Sequence, residues 1–118
     1  MPPPRMRRVN EAMREVLSAR ITEGLKDPRV GFVTVTSVET STDLRYARVY
    51  VSVLGDEQER EEALAGLRSS RGYLQSRVGA ELKMKRTPAL QFVYDGTVDT
   101  AMRIEHLLAD APGAEDAP

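Results

Sequence analysis

The chain has 118 residues, 41% of them apolar and 30% charged, a formal net charge of −1 and no cysteine. That length suits one domain with a single core, and the balance of apolar and charged residues suits a soluble globular class. The absence of cysteine excludes a disulfide framework, a thiolate nucleophile and a cysteine-ligated metal.

The order of elements follows from periodicity and punctuation. The first helix is expected from about Arg5 or Asn10 to Glu23, because Val9, Ala12, Met13, Val16, Leu17 and Ile21 recur at spacings of three and four. Gly24 suits a left-handed cap with Leu25 packed back on the helix, and Pro28 discourages continuation. Phe32 to Val38 is rich in β-branched residues and reads as a strand. From Ala47 to Val53 the alternation places Ala47, Val49, Val51 and Val53 on one face and Tyr46, Arg48, Tyr50 and Ser52 on the other. Ser41, Thr42 and Asp43 between them are turn residues, so an antiparallel hairpin is expected.

Asp56 is placed to cap the next helix, with Glu57 and Glu59 favoured in its first turn by the helix dipole. The stripe Leu64, Leu67, Leu74, Val78, Leu82 follows, but the position at 71 that should be apolar is Arg71, and Gly72 comes next. Glycine inside a helix costs about 1 kcal/mol relative to alanine. A straight helix over this stretch would be roughly 39 Å long, longer than the diameter of about 34 Å expected for a domain of this size. A bend is therefore predicted at Ser70–Gly72. Lys83 to Thr87 forms a short basic connection ended by Pro88, and Leu90, Phe92 and Tyr94 mark a third strand. Thr97 to Leu108 suits a final helix, with Val98, Met102, Ile104, Leu107 and Leu108 apolar. The organisation expected is one domain over residues 1–110 and an acidic, disordered tail over 111–118.

Catalysis has little to work with. His106 is the only histidine and falls among polar neighbours, which suits a surface position better than a general base. No metal site, cofactor loop or membrane-spanning run is recognisable. Glu57, Glu59, Glu61 and Glu62 suit a solvated helix start. The first residues, MPPPRMRRVN, carry no apolar stretch of the secretory kind, and a cytoplasmic location is expected.

The near-zero net charge conceals segregation. Segments 1–54 and 63–94 carry +3 and +5, while 55–62 and 95–118 carry −4 and −5. A local basic face is thus compatible with a near-neutral whole, as is a uniformly solvated surface. Three basic stations stand out: Arg5, Arg7 and Arg8 at the first helix; Arg45 and Arg48, interleaved with Tyr46 and Tyr50, on the second strand; and Arg68, Arg71, Arg77, Lys83, Lys85 and Arg86 along the bent helices and the next loop. Such residues neutralise phosphates, and Gly72 permits close backbone approach. A helix N-terminus at the bend would also offer backbone N–H groups to a phosphate. Arg48 equally suits the wet face of a sheet, with Tyr46 and Tyr50 packed under neighbouring residues.

The segments DPRVGFVTVTSVETSTDLRYARVYVSVLG and RGYLQSRVGAELKMKRTPALQFVYD resemble the ribosome-binding factor A family. Asp27-Pro28-Arg29, the Asp43-Leu44 turn before the Ala-x-Val-x-Val strand, and Pro88-x-Leu90-x-Phe92 carry most of the likeness, which runs from roughly Arg5 to Leu108. The resemblance implies an α+β, KH-like domain of the second topological type (α-β-β-α-kink-α-β) with a C-terminal helix. It further implies that a kink marked Ala-x-Gly replaces the usual clamp loop. Ser70-Arg71-Gly72 match that kink with serine for alanine, and Gln75 stands where an arginine is expected. The function implied is that of a cytoplasmic assembly factor; the residues themselves offer no catalytic or cofactor site and require no more than a monomer. Such a factor binds free small (30S) subunits, assists late processing of 16S ribosomal RNA and supports growth in the cold. Assembly GTPases acting at the same stage are implied as functional partners. A protein-interaction adaptor and a generic KH-like binder of single-stranded RNA are the alternatives.

Overall fold

The computed structural model describes residues 4–96. Within them the order is α1 (Pro4–Glu23), β1 (Val33–Thr40), β2 (Tyr46–Val53), α2 (Glu57–Ser69), α3 (Arg71–Glu81) and β3 (Ala89–Tyr94). The final helix expected over Thr97–Leu108, with His106, and the acidic tail lie outside the described residues.

Pro4 opens α1, where a missing N–H costs nothing and a fixed φ suits the first turn. The buried stripe of α1 is Met6, Met13, Val16, Leu17 and Ile21, and Val9 packs against the core's edge. Gly24 ends the helix at φ 110°, its N–H donating to the Ile21 carbonyl at 3.0 Å. Leu25 packs back on the core, as its position after the cap suggested.

β1 and β2 pair antiparallel, from Val33 opposite Val53 to Thr40 opposite Ala47. The first strand starts one residue later and ends two residues later than Phe32 to Val38, and Phe32 itself is 79% exposed. A bulge between Val35 and Ser37 breaks the period of two, so that Val35 and Val38, three residues apart, both face the core. β2 keeps the expected alternation: Ala47, Val49, Val51 and Val53 are buried, whereas Tyr46 and Arg48 are exposed. In the hairpin turn Asp43 accepts from the Ser41 hydroxyl and the Arg45 N–H, and Leu44 adopts φ 60°.

Asp56 caps α2 reciprocally. Its carboxylate accepts the Glu59 N–H at 2.8 Å while the Glu59 side chain accepts the Asp56 N–H at 3.1 Å, satisfying two otherwise unpaired donors. The α2–α3 pair is the crossover that a parallel connection requires, and β3 runs parallel to β2 with Ala89 opposite Tyr46. The sheet order is β1-β2-β3. All three helices cover one face, α1 packing on β1 and α3, and α2 on β3. Leu67, Leu74 and Val78 are fully enclosed there with Met13, Leu17 and the inward valines of β2. The opposite face carries Tyr46, Arg48 and Gln91.

Candidate nucleic-acid interface

The helix break falls at Ser70 alone, whose φ of −94° and ψ of 5° leave the helical well. Its cause is local. The Gly66 carbonyl receives the Ser70 N–H at 3.1 Å, the Ser70 hydroxyl at 3.0 Å and the Ser69 hydroxyl at 2.9 Å. Hydroxyls bonding back to the preceding turn bend helices by competing with the regular ladder. The Ser70 carbonyl in turn accepts the Leu74 N–H at 3.0 Å, the first bond of α3. A second helix does begin at the bend, as expected: Ser70 is the N-cap residue of α3, and no side-chain bond caps the first turn there.

Gly72 lies inside α3, one residue beyond the break rather than at it. It does not have a positive φ, and a Cβ built on it would meet nothing within 4 Å. Neither backbone conformation nor internal packing requires glycine here. Gly72→Ala is expected to stabilise the fold by about 0.5–1 kcal/mol, through higher helix propensity and lower unfolded-state entropy. Urea denaturation measures that gain, and a loss of RNA affinity in the same variant would show what the glycine is for.

A loop brings further groups to the break. Asp27 holds Arg29 through paired side-chain bonds, the shortest 2.6 Å, accepts the Arg29 N–H at 2.9 Å, and lies 2.7 Å from the Ser69 hydroxyl. These bonds from Arg29 and Ser69 hold the Asp27 carboxyl well below the usual carboxylate range. The clasp therefore stays ionised through neutral and mildly acidic pH. Gly66 allows the loop to lie this close: a Cβ there would come within 2.9 Å of Val30 Cγ2 and 3.2 Å of the Val30 backbone nitrogen. The result is a groove of about 720 Å³ between the loop and the start of α3, with Leu25, Lys26, Pro28, Arg29 and Tyr73 among its walls.

The residues expected to contact RNA do not form one patch. Arg68, Arg71 and Gly72 are exposed at the break, and the two arginines make no ion pair among the described residues. Arg77 is tied to Glu81 at 2.9 Å, which offsets its charge. Lys83, Lys85 and Arg86 follow on the loop before β3, Lys85 and Arg86 exposed there. Lys83 has φ 52° just past the end of α3, where the Met84 N–H reaches the Gly79 carbonyl at 3.0 Å. A left-handed lysine at this cap costs about 1–2 kcal/mol relative to relaxed backbone. Arg45 meets this loop's exit, its carbonyl accepting the Ala89 N–H at 2.8 Å. Arg48 stands on the outer sheet face opposite Glu39 and Gln91. Arg5, Arg7 and Arg8 are exposed on the first turns of α1, Arg7 beside a hollow next to Thr36–Val38 of β1, on the sheet edge remote from β3.

Lys26, Arg29 and Tyr73 escaped the reading of the sequence as contact residues. Only Tyr73 carried a local signal, an aromatic off the apolar stripe of its helix. Gln75, noted as the departure from an expected arginine, accepts the Leu90 N–H at 3.1 Å and so occupies a donor of β3 that the β2 ladder leaves over.

Together these features define a small α+β domain whose three helices cover one face of a three-stranded sheet, with basic side chains gathered about a helix break. A family model described as ribosome-binding factor A matches residues 5–108. The ribosome-binding factor A of Brevibacillus brevis is 45% identical over 106 residues, spanning 90% of this chain and 88% of that protein. The crystal structure of ribosome-binding factor A from Thermus thermophilus superposes with a TM-score of 0.67 at 28% identity, covering 75% of this chain and 94% of that one. A homology model of the Thermus thermophilus factor, fitted into a cryo-EM map of its complex with the 30S subunit, gives 0.62 at 29% identity over 73% of this chain and 90% of that one. The chain belongs to the ribosome-binding factor A family. Among the described residues no helix is long and apolar enough to cross a membrane.

Proposed function

We propose that this protein is an assembly factor of the small ribosomal subunit. It binds 16S ribosomal RNA on free 30S particles, assists late maturation and processing, and contributes to growth in the cold. Family membership and the 30S complex of the Thermus relative support the target. The observation that carries the interface is the break itself: two arginines without ion pairs among the described residues, beside a glycine for which the fold has no internal need. Phosphates approach closely where no Cβ stands, and arginine neutralises them with release of counterions. On this reading the chain folds as a KH-like domain of the second type over residues 1–110, with 111–118 as an acidic tail. It works in the cytoplasm as a monomer, without catalysis, at the stage where assembly GTPases act.

The protein stabilises one RNA conformation and leaves when the mature one forms. Its effect is set by the difference in affinity between the two states. Co-sedimentation with separated small subunits, large subunits and intact ribosomes tests the proposal. Retention on free small subunits alone is expected, and equal retention on all three would overturn it. With about five phosphates contacted, log affinity falls against log salt with a slope of roughly −3.5 to −4.5.

A further inference from the structure

The groove beside the break offers more than phosphate neutralisation. Its volume of about 720 Å³ falls within the range of roughly 300–1,000 Å³ usual for sites that enclose small ligands. Tyr73 projects into it from the first turn of α3 with half its surface exposed, and Leu25 and Pro28 add apolar wall. At the rim, Arg29 donates Nε and Nη2 to Asp27, which leaves Nη1 without a hydrogen-bond partner among the described residues. Lys26 lines the same concavity.

We propose that this groove receives a single unpaired nucleotide of ribosomal RNA, its base stacked on Tyr73 and its phosphate set against Lys26 and Arg29. The inference rests on the RNA-binding reading above and assigns that RNA a defined subsite. An A-form duplex presents phosphates that would reach the rim but has nothing to lay against an aromatic wall. An extruded base has a π-face for Tyr73 and carries its phosphate one bond system away. The Asp27 clasp holds the Arg29 fork in one orientation before RNA arrives, which lowers the entropy lost on binding. Arg29 is paired with Asp27 and also acted on by Glu62, whereas Lys26 has no ion pair among the described residues. The uncompensated charge lining the groove is thus the positive charge of Lys26, which favours an anionic nucleotide over a basic peptide.

Three variants separate the subsite from the reading beneath it: Tyr73→Ala, Tyr73→Phe, and Arg68→Glu with Arg71→Glu. Loss of one base-stacking partner corresponds to a roughly 5- to 150-fold fall in affinity. Tyr73→Ala is expected to weaken binding to free small subunits within that range, with an unchanged salt slope and an unchanged melting temperature, while Tyr73→Phe binds as the parent does. Short-wavelength photo-cross-linking of the parent on small subunits should join Tyr73 to one nucleotide. Tyr73→Ala binding within twofold of the parent, with the double reversal released, would overturn the subsite and leave RNA binding standing. A cross-link from Tyr73 to a ribosomal protein would overturn it too. Intact binding by both variants would remove the underlying reading, and the subsite with it.

Discussion

Arg68→Glu combined with Arg71→Glu lowers affinity for free small subunits by about 100-fold at physiological salt. Both side chains are exposed and without ion pairs among the described residues, so their charge is available to a partner and their loss leaves the core untouched. Each phosphate contact removed makes the salt slope shallower by about 0.7–0.9, and an acid in place of a base adds repulsion of similar size. The slope should therefore change by roughly 1.5–3 while the melting temperature shifts by no more than a few degrees. Arg77→Glu is the informative contrast. That guanidinium already lies 2.9 Å from Glu81, which Arg20 also approaches at 3.6 Å. Its reversal should cost only a fewfold. Equilibrium binding to purified small subunits across a salt series measures both variants, and equal losses would mean that net charge, not the face at the break, governs binding.

Leu67→Ala lowers stability by about 3 kcal/mol, in the lower half of the range for deleting an enclosed leucine side chain. Leu67 is 0% exposed in the last turn of α2, and its carbonyl also accepts the Ser70 N–H at the break. The loss combines forfeited transfer free energy with a cavity that the α2–α3 pair cannot close without moving the bend. For a domain of this size that is a fall of roughly 12–20 °C in melting temperature. Leu82→Ala, in the same stripe of the sequence, should cost about 1 kcal/mol, because Leu82 only packs against the edge of the core. Guanidinium denaturation of the two variants gives the comparison directly.

That pair of leucines marks the border between what was legible in the residues and what was not. Period and punctuation are local properties, so the six elements among the described residues, the Asp56 cap of α2 and the inward valines of β2 were readable from spacing alone. The bend was readable because Arg71 interrupts the stripe, although its physical cause, two serine hydroxyls on the Gly66 carbonyl, was not. The bulge at Thr36 was also hidden, since an extra residue in a strand is defined by its partner across the ladder.

The site divides in the same way. Arg68 and Arg71 were visible because a basic run beside a charge in an apolar slot is a contradiction within one helical stretch. Lys26 and Arg29 were not, because their place depends on a loop more than 35 residues earlier in the chain. That loop reaches the break only because Gly66 has no side chain to hold it off and Ser69 lies 2.7 Å from Asp27. Composition and periodicity alone determined the element order and the absence of thiol chemistry, while the α+β class was read from the family resemblance. Only the packing of the Asp27–Arg29 loop on α2 set a groove lined by Lys26, Arg29 and Tyr73 beside the break, because a concavity arises between segments that share no local signal.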